Sequence, residues 1–305
     1  MTVDDDFDRD LRLAAMGWLT TRTQDGLEAV RSSELSDFTF RGEPFRLLDP
    51  QRGIRKPKEL DSALSIRTVY SADPSKRPYA DEIGDDGSIA YKWRDGNPDH
   101  AENRALRRAM DLSRPLIWFF GVGTAVYQPI YPVHVVREEP ENQQFVLATE
   151  DVAQLLREGA PATEQMKRYA QAEARIRLHQ PVFRASVMRA YETRCAVCSL
   201  RHGELLDAAH IVPDSDEEGI AAVRNGLALC KIHHAAYDRQ ILGIRPDDYV
   251  VEIRRDLLDE VDGPMLLHGL QGRHGQALMV LPRSRRERPD RDLLNVSYER
   301  FRAAG

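Results

Sequence analysis

Residues 195–238 read CAVCSLRHGELLDAAHIVPDSDEEGIAAVRNGLALCKIHHAAYD, and the fold of the C-terminal half is decided there. The stretch opens with Cys195-Ala-Val-Cys198 and closes on Cys230-Lys-Ile-His233-His234. The chain has three cysteines, and all of them fall within these two half-sites. Zinc takes thiolate and imidazole in a closed tetrahedral shell, and C-x2-C facing C-x2-H is a common way to build one. Cys195, Cys198, Cys230 and His233 are therefore the expected ligands of a structural Zn2+. Three buried free cysteines are the alternative, and that alternative leaves the paired spacing unexplained.

Four ligands do not use up the polar residues of the stretch. His210 lies on a strand-like apolar run, Leu205 to Val212, where an imidazole with an ordinary pKa of about 6.5 can accept a proton from water at neutral pH. A helix beginning near Cys230 puts His234 and Asp238 at i and i+4, on one face, while His233 points about 100° away toward the zinc. An imidazole and a carboxylate on one face can hold a divalent cation with positions open for water and phosphate.

With those residues in place, residues 191–242 resemble an HNH (ββα-metal) nuclease. The resemblance implies two strands and a helix around one divalent cation, Mg2+ or Mn2+. It implies His210 as general base, Asn225 as the residue that holds the connecting loop and the base, and His234 as metal ligand. Asp238 stands where many members place a second ligand. Many members also carry an acid or histidine immediately before the base, and here that position is Ala209. Asp207, two residues upstream, shares a strand face with Ala209 and is the candidate replacement ligand.

Composition sets the frame. A chain of 305 residues, 42% hydrophobic and 30% charged, suits a soluble protein of two domains. No stretch approaches the ~18 uncharged apolar residues of a membrane span. The acidic start, Met1-Thr-Val-Asp-Asp-Asp, lacks the basic and apolar regions of a signal peptide. Reduced cysteines and a cytoplasmic location are expected. The net charge of −6 argues against nucleic acid until its distribution is considered. Residues 1–160 hold 21 Lys+Arg against 28 Asp+Glu, whereas residues 161–305 hold 22 against 21. Arg283, Arg285, Arg286, Arg288 and Arg291 form a local basic run of the kind that meets phosphate.

Along the chain, Phe7, Leu11, Ala14 and Trp18 predict a helix over 7–20. From 37 to 150, short apolar runs between Gly, Pro and Asp turns predict a β-rich domain, interrupted by a helix from Ala101 to Asp111. Gly159-Ala-Pro161 marks a boundary, and two helices broken at Gln180-Pro181 lead into the cysteine module. Strand-like Tyr249–Ile253 and Ala277–Leu281 and a helix near 290–303 complete the tail. The expected domains are 1–160, a helical linker at 161–190, and 191–305.

The front domain carries a second pattern: Tyr79-Ala-Asp81-Glu82-Ile-Gly84, then Tyr91-Lys92-Trp93, then Asn103-Arg-Ala-Leu106. It resembles the SRA (SET and RING associated) fold, which binds a flipped modified cytosine. A flipped base needs flat faces above and below and polar groups on its pairing edge. The resemblance gives Tyr79 and Tyr91 as the plates and Glu82, beside Asp81, as the carboxylate. Glu82 stands where the family has Asp, and Lys92 replaces a small Thr or Ser. Tyrosines in a β-barrel also serve as core or rim residues.

The expected architecture is α+β: an SRA-like (PUA-type barrel) sensor, a helical linker and a zinc-stapled ββα-metal nuclease. The halves together resemble a modification-dependent restriction endonuclease. That resemblance implies base flipping and reading of 5-methyl- or 5-hydroxymethylcytosine in double-stranded DNA, cleavage nearby and a homodimer. Three rivals stay open: an HNH endonuclease whose front domain reads unmodified sequence or another mark, a DNA reader that does not cleave, and an HNH enzyme acting on RNA.

Overall fold

In the computed structural model, residues 5–49, 51–71, 89–157, 179–213 and 222–304 are described. The chain divides into two compact units, residues 1–182 and 183–305.

The first unit begins with helix α1, Asp5–Arg22. Its apolar stripe, with Leu11, Ala15 and Leu19 fully buried, recurs at helical spacing as the sequence predicts. Arg12 is buried on the same face, and its guanidinium donates to Asp8 (2.6 Å) and Ser62 (3.0 Å). The strands that follow are β1 (Val30–Arg31), β2 (Thr39–Phe40), β3 (Glu43–Pro44), β4 (Ile54–Arg55), β5 (Ser65–Thr68), β6 (Ile89–Lys92), β7 (Leu116–Gly123), β8 (Val126–Glu139) and β9 (Gln144–Thr149). Helix α2, Ala101–Asp111, lies between β6 and β7 with the bounds the sequence predicts, and α3, Glu150–Arg157, follows β9.

Seven strands form one sheet in the order β4-β5-β7-β8-β9-β6, with β1 added on β8. Only β5 and β7 run parallel. The two end strands, β4 and β6, do not pair with each other, so no ladder among the described residues closes the sheet into the expected barrel. Strand β7 shows why both faces are covered. Leu116 and Trp118 enter one core with Tyr91, Leu106 and Phe145, while Ile117 and Phe119 enter another with Leu11, Leu19 and Phe38. The side-chain period of two sorts one apolar run between two cores.

The second unit starts on helix α4, Gln180–Ala190. Pro181 is the second residue of this helix. The sequence reading assigns this helix to a linker; its Phe183 and Val187, with Tyr191 just after it, pack into the core of the second unit. The other linker helix and the Gly159–Pro161 boundary lie outside the described residues. Strands β10 (Leu206–His210) and β11 (Gly226–Cys230) form an antiparallel hairpin, and helix α5, Lys231–Asp238, follows directly. A second hairpin, β12 (Leu242–Ile244) with β13 (Val251–Ile253), is followed by α6 (Arg255–Leu258), α7 (Pro264–Gly269) and α8 (Arg291–Ala304).

The tail belongs to this unit. Buried Tyr237 of α5 donates to Ser297 of α8 at 2.7 Å. Residues 277–281, expected as a strand, make one bridge at Ala277. Met279 and Val280 instead donate to the carbonyl of Ala196, between the first two cysteines. Among the described residues, no helix is long and apolar enough to cross a membrane.

Candidate active site and metal centre

Two turns bring the cysteines and His233 together. Cys195-Ala-Val-Cys198 forms a tight loop in which the Ser199 N–H donates to the Cys195 carbonyl and the Cys195 N–H to that of Leu200, both at 2.9 Å. Cys230 is the last residue of β11 and caps α5, so His233 follows within one turn. The four ligand atoms lie within 4.8 Å of one another. The Sγ atoms of Cys198 and Cys230 are 4.0 Å apart, and His233 Nδ1 is 3.0 Å and 3.5 Å from the sulfurs of Cys230 and Cys195. Zinc–sulfur bonds of ~2.3 Å in a tetrahedron set sulfurs about 3.8 Å apart, so this donor set fits zinc.

The imidazole is oriented for that task. His233 Nε2 lies 2.8 Å from the Gly269 carbonyl and donates to it, which leaves the Nδ1 lone pair facing the thiols. The charge balance agrees. Contacts among the thiols lower Cys195 and Cys230 below the usual range and push Cys198 up. Burial opposes charge on His233, yet its hydrogen bonds to Cys195 and Cys230 raise it to about 10. A buried cluster that gathers thiolate charge in this way suits a cation at its centre.

The β10–β11 hairpin places His210 opposite Gly226, at the end where the connecting segment joins the two strands. Asn225, one residue before, is fully buried. Its Nδ2 donates to the Val212 carbonyl at 2.8 Å, and its Oδ1 accepts from the Val212 N–H at 2.9 Å. Its own carbonyl accepts from the Ile211 N–H at 2.9 Å. Asn225 thus grips the two residues that follow His210. An aspartate at 225 would lack the donor and an alanine would lack both groups.

The His210 ring stacks on Phe183 of α4, with centroids 3.9 Å apart and planes 4° apart. Gly226 makes room for this. A Cβ there would lie 3.0 Å from Phe183 Cζ and overlap Val187. Sequence reasoning missed Phe183. The available signal was Phe183 and Val187 at i and i+4, upstream of a glycine paired with the histidine strand.

His234 joins the two acidic candidates through opposite ring atoms. Its Nδ1 is 3.3 Å from Asp207 Oδ2, and its Nε2 is 3.3 Å from Asp238 Oδ2. One cation can take only one imidazole nitrogen. In this arrangement it can therefore share His234 with Asp207 or with Asp238, but not with both. Among the described residues, only the cysteine–histidine group forms a compact set of three or more candidate metal ligands.

Asp207 is the more enclosed acid, at 27% exposure against 58% for Asp238. Lys231 Nζ sits 2.6 Å from Asp207 Oδ1, and Arg184 Nη1 3.8 Å from the same oxygen. Burial works against the charge of Asp207, but hydrogen bonds from Lys231 and His234 hold its carboxyl below the usual range. Lys231 and Arg184, both missed in the sequence, make this end of the hairpin a place where a negative group is held between cations.

In the first unit, Tyr91 is 7% exposed and packs with Trp93 and Phe145. Its hydroxyl is 3.3 Å from the carbonyls of Gly53 and Arg67, to which it donates. Lys92 Nζ donates to Gln144 Oε1 at 2.7 Å and to the Asn142 carbonyl at 3.2 Å. It lines a cleft of about 290 Å³ with Trp93, Asp95, Gly96, Asn142 and Gln143. Tyr79, Asp81 and Glu82 lie outside the described residues. Asn103 is buried and braces the loop before α2, accepting from the Arg94 N–H at 2.9 Å and donating to the Asn97 carbonyl at 2.6 Å.

Residues 195–245 match the HNH endonuclease family, which covers both half-sites, His210, Asn225 and α5. This stretch of the chain is thus similar to HNH endonucleases. No curated protein matches it. Among solved structures it is similar to a modification dependent TagI restriction endonuclease, with 19% identity and a TM-score of 0.30 over 82% of this chain and 85% of that one. It is also similar to the Type IV phosphorothioation-dependent restriction endonuclease ScoMcrA, with 16% identity and a TM-score of 0.25 over 84% of this chain and 52% of that one. The chain thus spans about half the length of ScoMcrA. Likenesses this distant carry no weight in assigning a substrate.

Proposed function

We propose that the chain is a modification-dependent DNA endonuclease: the second unit hydrolyses a phosphodiester, and the first reads a mark that licenses the cut. The observation that carries the nuclease half is the placement of His210, Asn225 and His234 on one strand–strand–helix unit stapled by the cysteine–histidine cluster.

His210 takes a proton from the attacking water as the water oxygen bonds to phosphorus and the bond to the 3′-oxygen breaks; solvent protonates the leaving oxygen. Phe183 fixes the plane of the imidazole, and Asn225 fixes the chain that carries it. His234, with Asp207 or Asp238, holds the divalent cation, Mg2+ or Mn2+. When bound, that cation supplies Lewis-acid stabilisation of the charge developing on the phosphate and the leaving group. Cys195, Cys198, Cys230 and His233 hold a structural Zn2+ and fix where β11 ends and α5 begins.

For the first unit, the supporting pattern is Tyr79 through Leu106, read as a pocket for a flipped 5-methyl- or 5-hydroxymethylcytosine with Asp81 and Glu82 on its polar edge. Of the five pocket residues, Lys92 is the one with a described place beside a cleft. The burial of Tyr91 favours a second reading. A tyrosine packed in the core, with its hydroxyl on two main-chain carbonyls, stacks on a base only by leaving that core. In that reading the first unit recognises unmodified sequence or a different mark. One HNH site cuts one strand, so a double-strand break implies a homodimer or two encounters.

The test is cleavage of one plasmid in three forms, unmodified, 5-methylated and 5-hydroxymethylated, with Mg2+ or Mn2+. Cutting confined to modified forms supports the sensor. Equal cutting of all three keeps the nuclease and removes the modified-cytosine reading.

A further inference from the structure

The tail carries a cationic cleft that the nuclease chemistry does not use. Arg224, Arg285, Arg286, Arg288 and Arg291 line a space of about 580 Å³ together with Tyr249, Pro289 and Asp290. Asp290, which also lines the cleft, is paired with Arg224 at 3.2 Å. Like charges gathered around a solvent-filled space repel one another, and an anion held in that space relieves the repulsion.

The cleft is built rather than a chance meeting of surface side chains. Tyr249 donates its hydroxyl to the Pro289 carbonyl at 3.1 Å, which pins the loop before α8. The Arg291 guanidinium lies over the Tyr249 ring, 5.8 Å from its centroid. Arg288 donates through Nε to the Pro282 carbonyl at 3.2 Å. The Asp290 N–H donates to the Arg224 carbonyl at 2.9 Å. That last bond ties the cleft to the residue immediately before Asn225, so its floor and the loop of the general base are one piece of chain.

We infer that this cleft is a second phosphate-binding surface, which grips the sugar-phosphate backbone of the DNA substrate away from the scissile bond. Its size suits a run of backbone better than one small anion, and guanidinium forks match phosphate oxygens in pairs. The inference rests on the nuclease reading, because DNA is the polyanion that reading supplies.

Binding by the full-length His210→Ala chain, measured by fluorescence anisotropy on a labelled duplex across a salt series, tests it. Each phosphate contact contributes about 0.9 to the slope of log affinity against log salt, and on the order of tenfold in affinity near 0.1 M salt. Adding Arg285→Ala and Arg286→Ala is expected to weaken binding by roughly 10- to 100-fold and lower the slope by about 2. Unchanged affinity and slope, in variants that keep their far-ultraviolet circular dichroism and zinc content, would overturn the inference. Cleavage by the unmutated chain then shows separately whether the nuclease reading stands. Inorganic phosphate at matched ionic strength is expected to leave the duplex bound. Displacement at millimolar phosphate would assign the cleft to a small phosphate ligand and overturn the backbone assignment.

Discussion

Phe183 and His210 lie face to face, centroids 3.9 Å apart and planes 4° apart, although one belongs to a helix and the other to a strand 27 positions later. A general base must present one nitrogen to water in a fixed direction, and a stacked ring removes the rotation about Cβ–Cγ that would misdirect it. In the proposed mechanism helix α4 thus contributes to the catalytic unit through a side chain that has no proton to give.

Phe183→Ala is expected to destabilise the second unit by about 3–5 kcal/mol, as burial and packing are lost together. It should also lower kcat by about 10- to 100-fold, a fraction of what general-base catalysis supplies. Phe183→Tyr, which keeps the ring, should restore most of kcat. Single-turnover cleavage beside duplex affinity checks this: a purely structural residue would lose both in step, whereas a positioning residue loses rate at unchanged affinity.

Gly226 is where the stack is made possible. Gly226→Ala forces Val187 and Phe183 away from β11 and is expected to cost about 1–3 kcal/mol, as overpacking in a closed core does. The phi at this position is −129°, so the loss is steric and not a matter of backbone strain. A thermal melt of the variant that matched the parent would show that α4 does not bear on the hairpin as described.

The cysteine–histidine cluster should decide whether the second unit folds. Thiolates and imidazole gathered without a cation repel or compete for protons, so metal binding and folding are linked. Chelation, or Cys230→Ser, is expected to abolish the cooperative melt of residues 183–305 and release about one zinc per chain, measured with a metallochromic dye. Retention of that melt after complete zinc removal would contradict a structural role.

Asp207 gives a pH prediction with a definite sign. Its folded carboxyl titrates below the usual range, so the unfolded chain takes up the proton first as acid is added. The contribution of its contacts with Lys231 and His234 is present above the ordinary aspartate range and is lost as pH falls through the depressed folded value. Asp207→Asn should flatten the acid limb of a stability–pH profile below about pH 4. An unchanged acid limb in the variant would show that the pair is too screened to matter.

Much of the second unit was legible because its chemistry sits in short spacings. Cys195/Cys198 and Cys230/His233 declare a tetrahedral cluster; β10 could be read from its apolar run and α5 from the spacing after Cys230, while β11 came with the HNH resemblance. Asn225 was singled out through the HNH resemblance, and in the structure its side chain makes two bonds to Val212. Phe183, Arg184 and Lys231 were not, because they reach the site through tertiary contacts that no local pattern encodes. The relation of Asp207 and Asp238 to opposite nitrogens of His234 depends on ring orientation, which spacing does not carry. In the first unit, helices α1 and α2 and the long strands could be read from periodicity. Tyr91 shows the limit: a tyrosine in a β-rich segment reads equally as core or as pocket, and its burial puts it in the core.

The most direct measurement is metal-dependent nicking of supercoiled plasmid by the parent chain and by His210→Ala, at equal zinc content and equal far-ultraviolet circular dichroism. The expected result is nicking by the parent that requires Mg2+ or Mn2+, and a rate at least about 100-fold lower in the variant. A variant that nicks at the parental rate would place the general base elsewhere and contradict the assignment of the site.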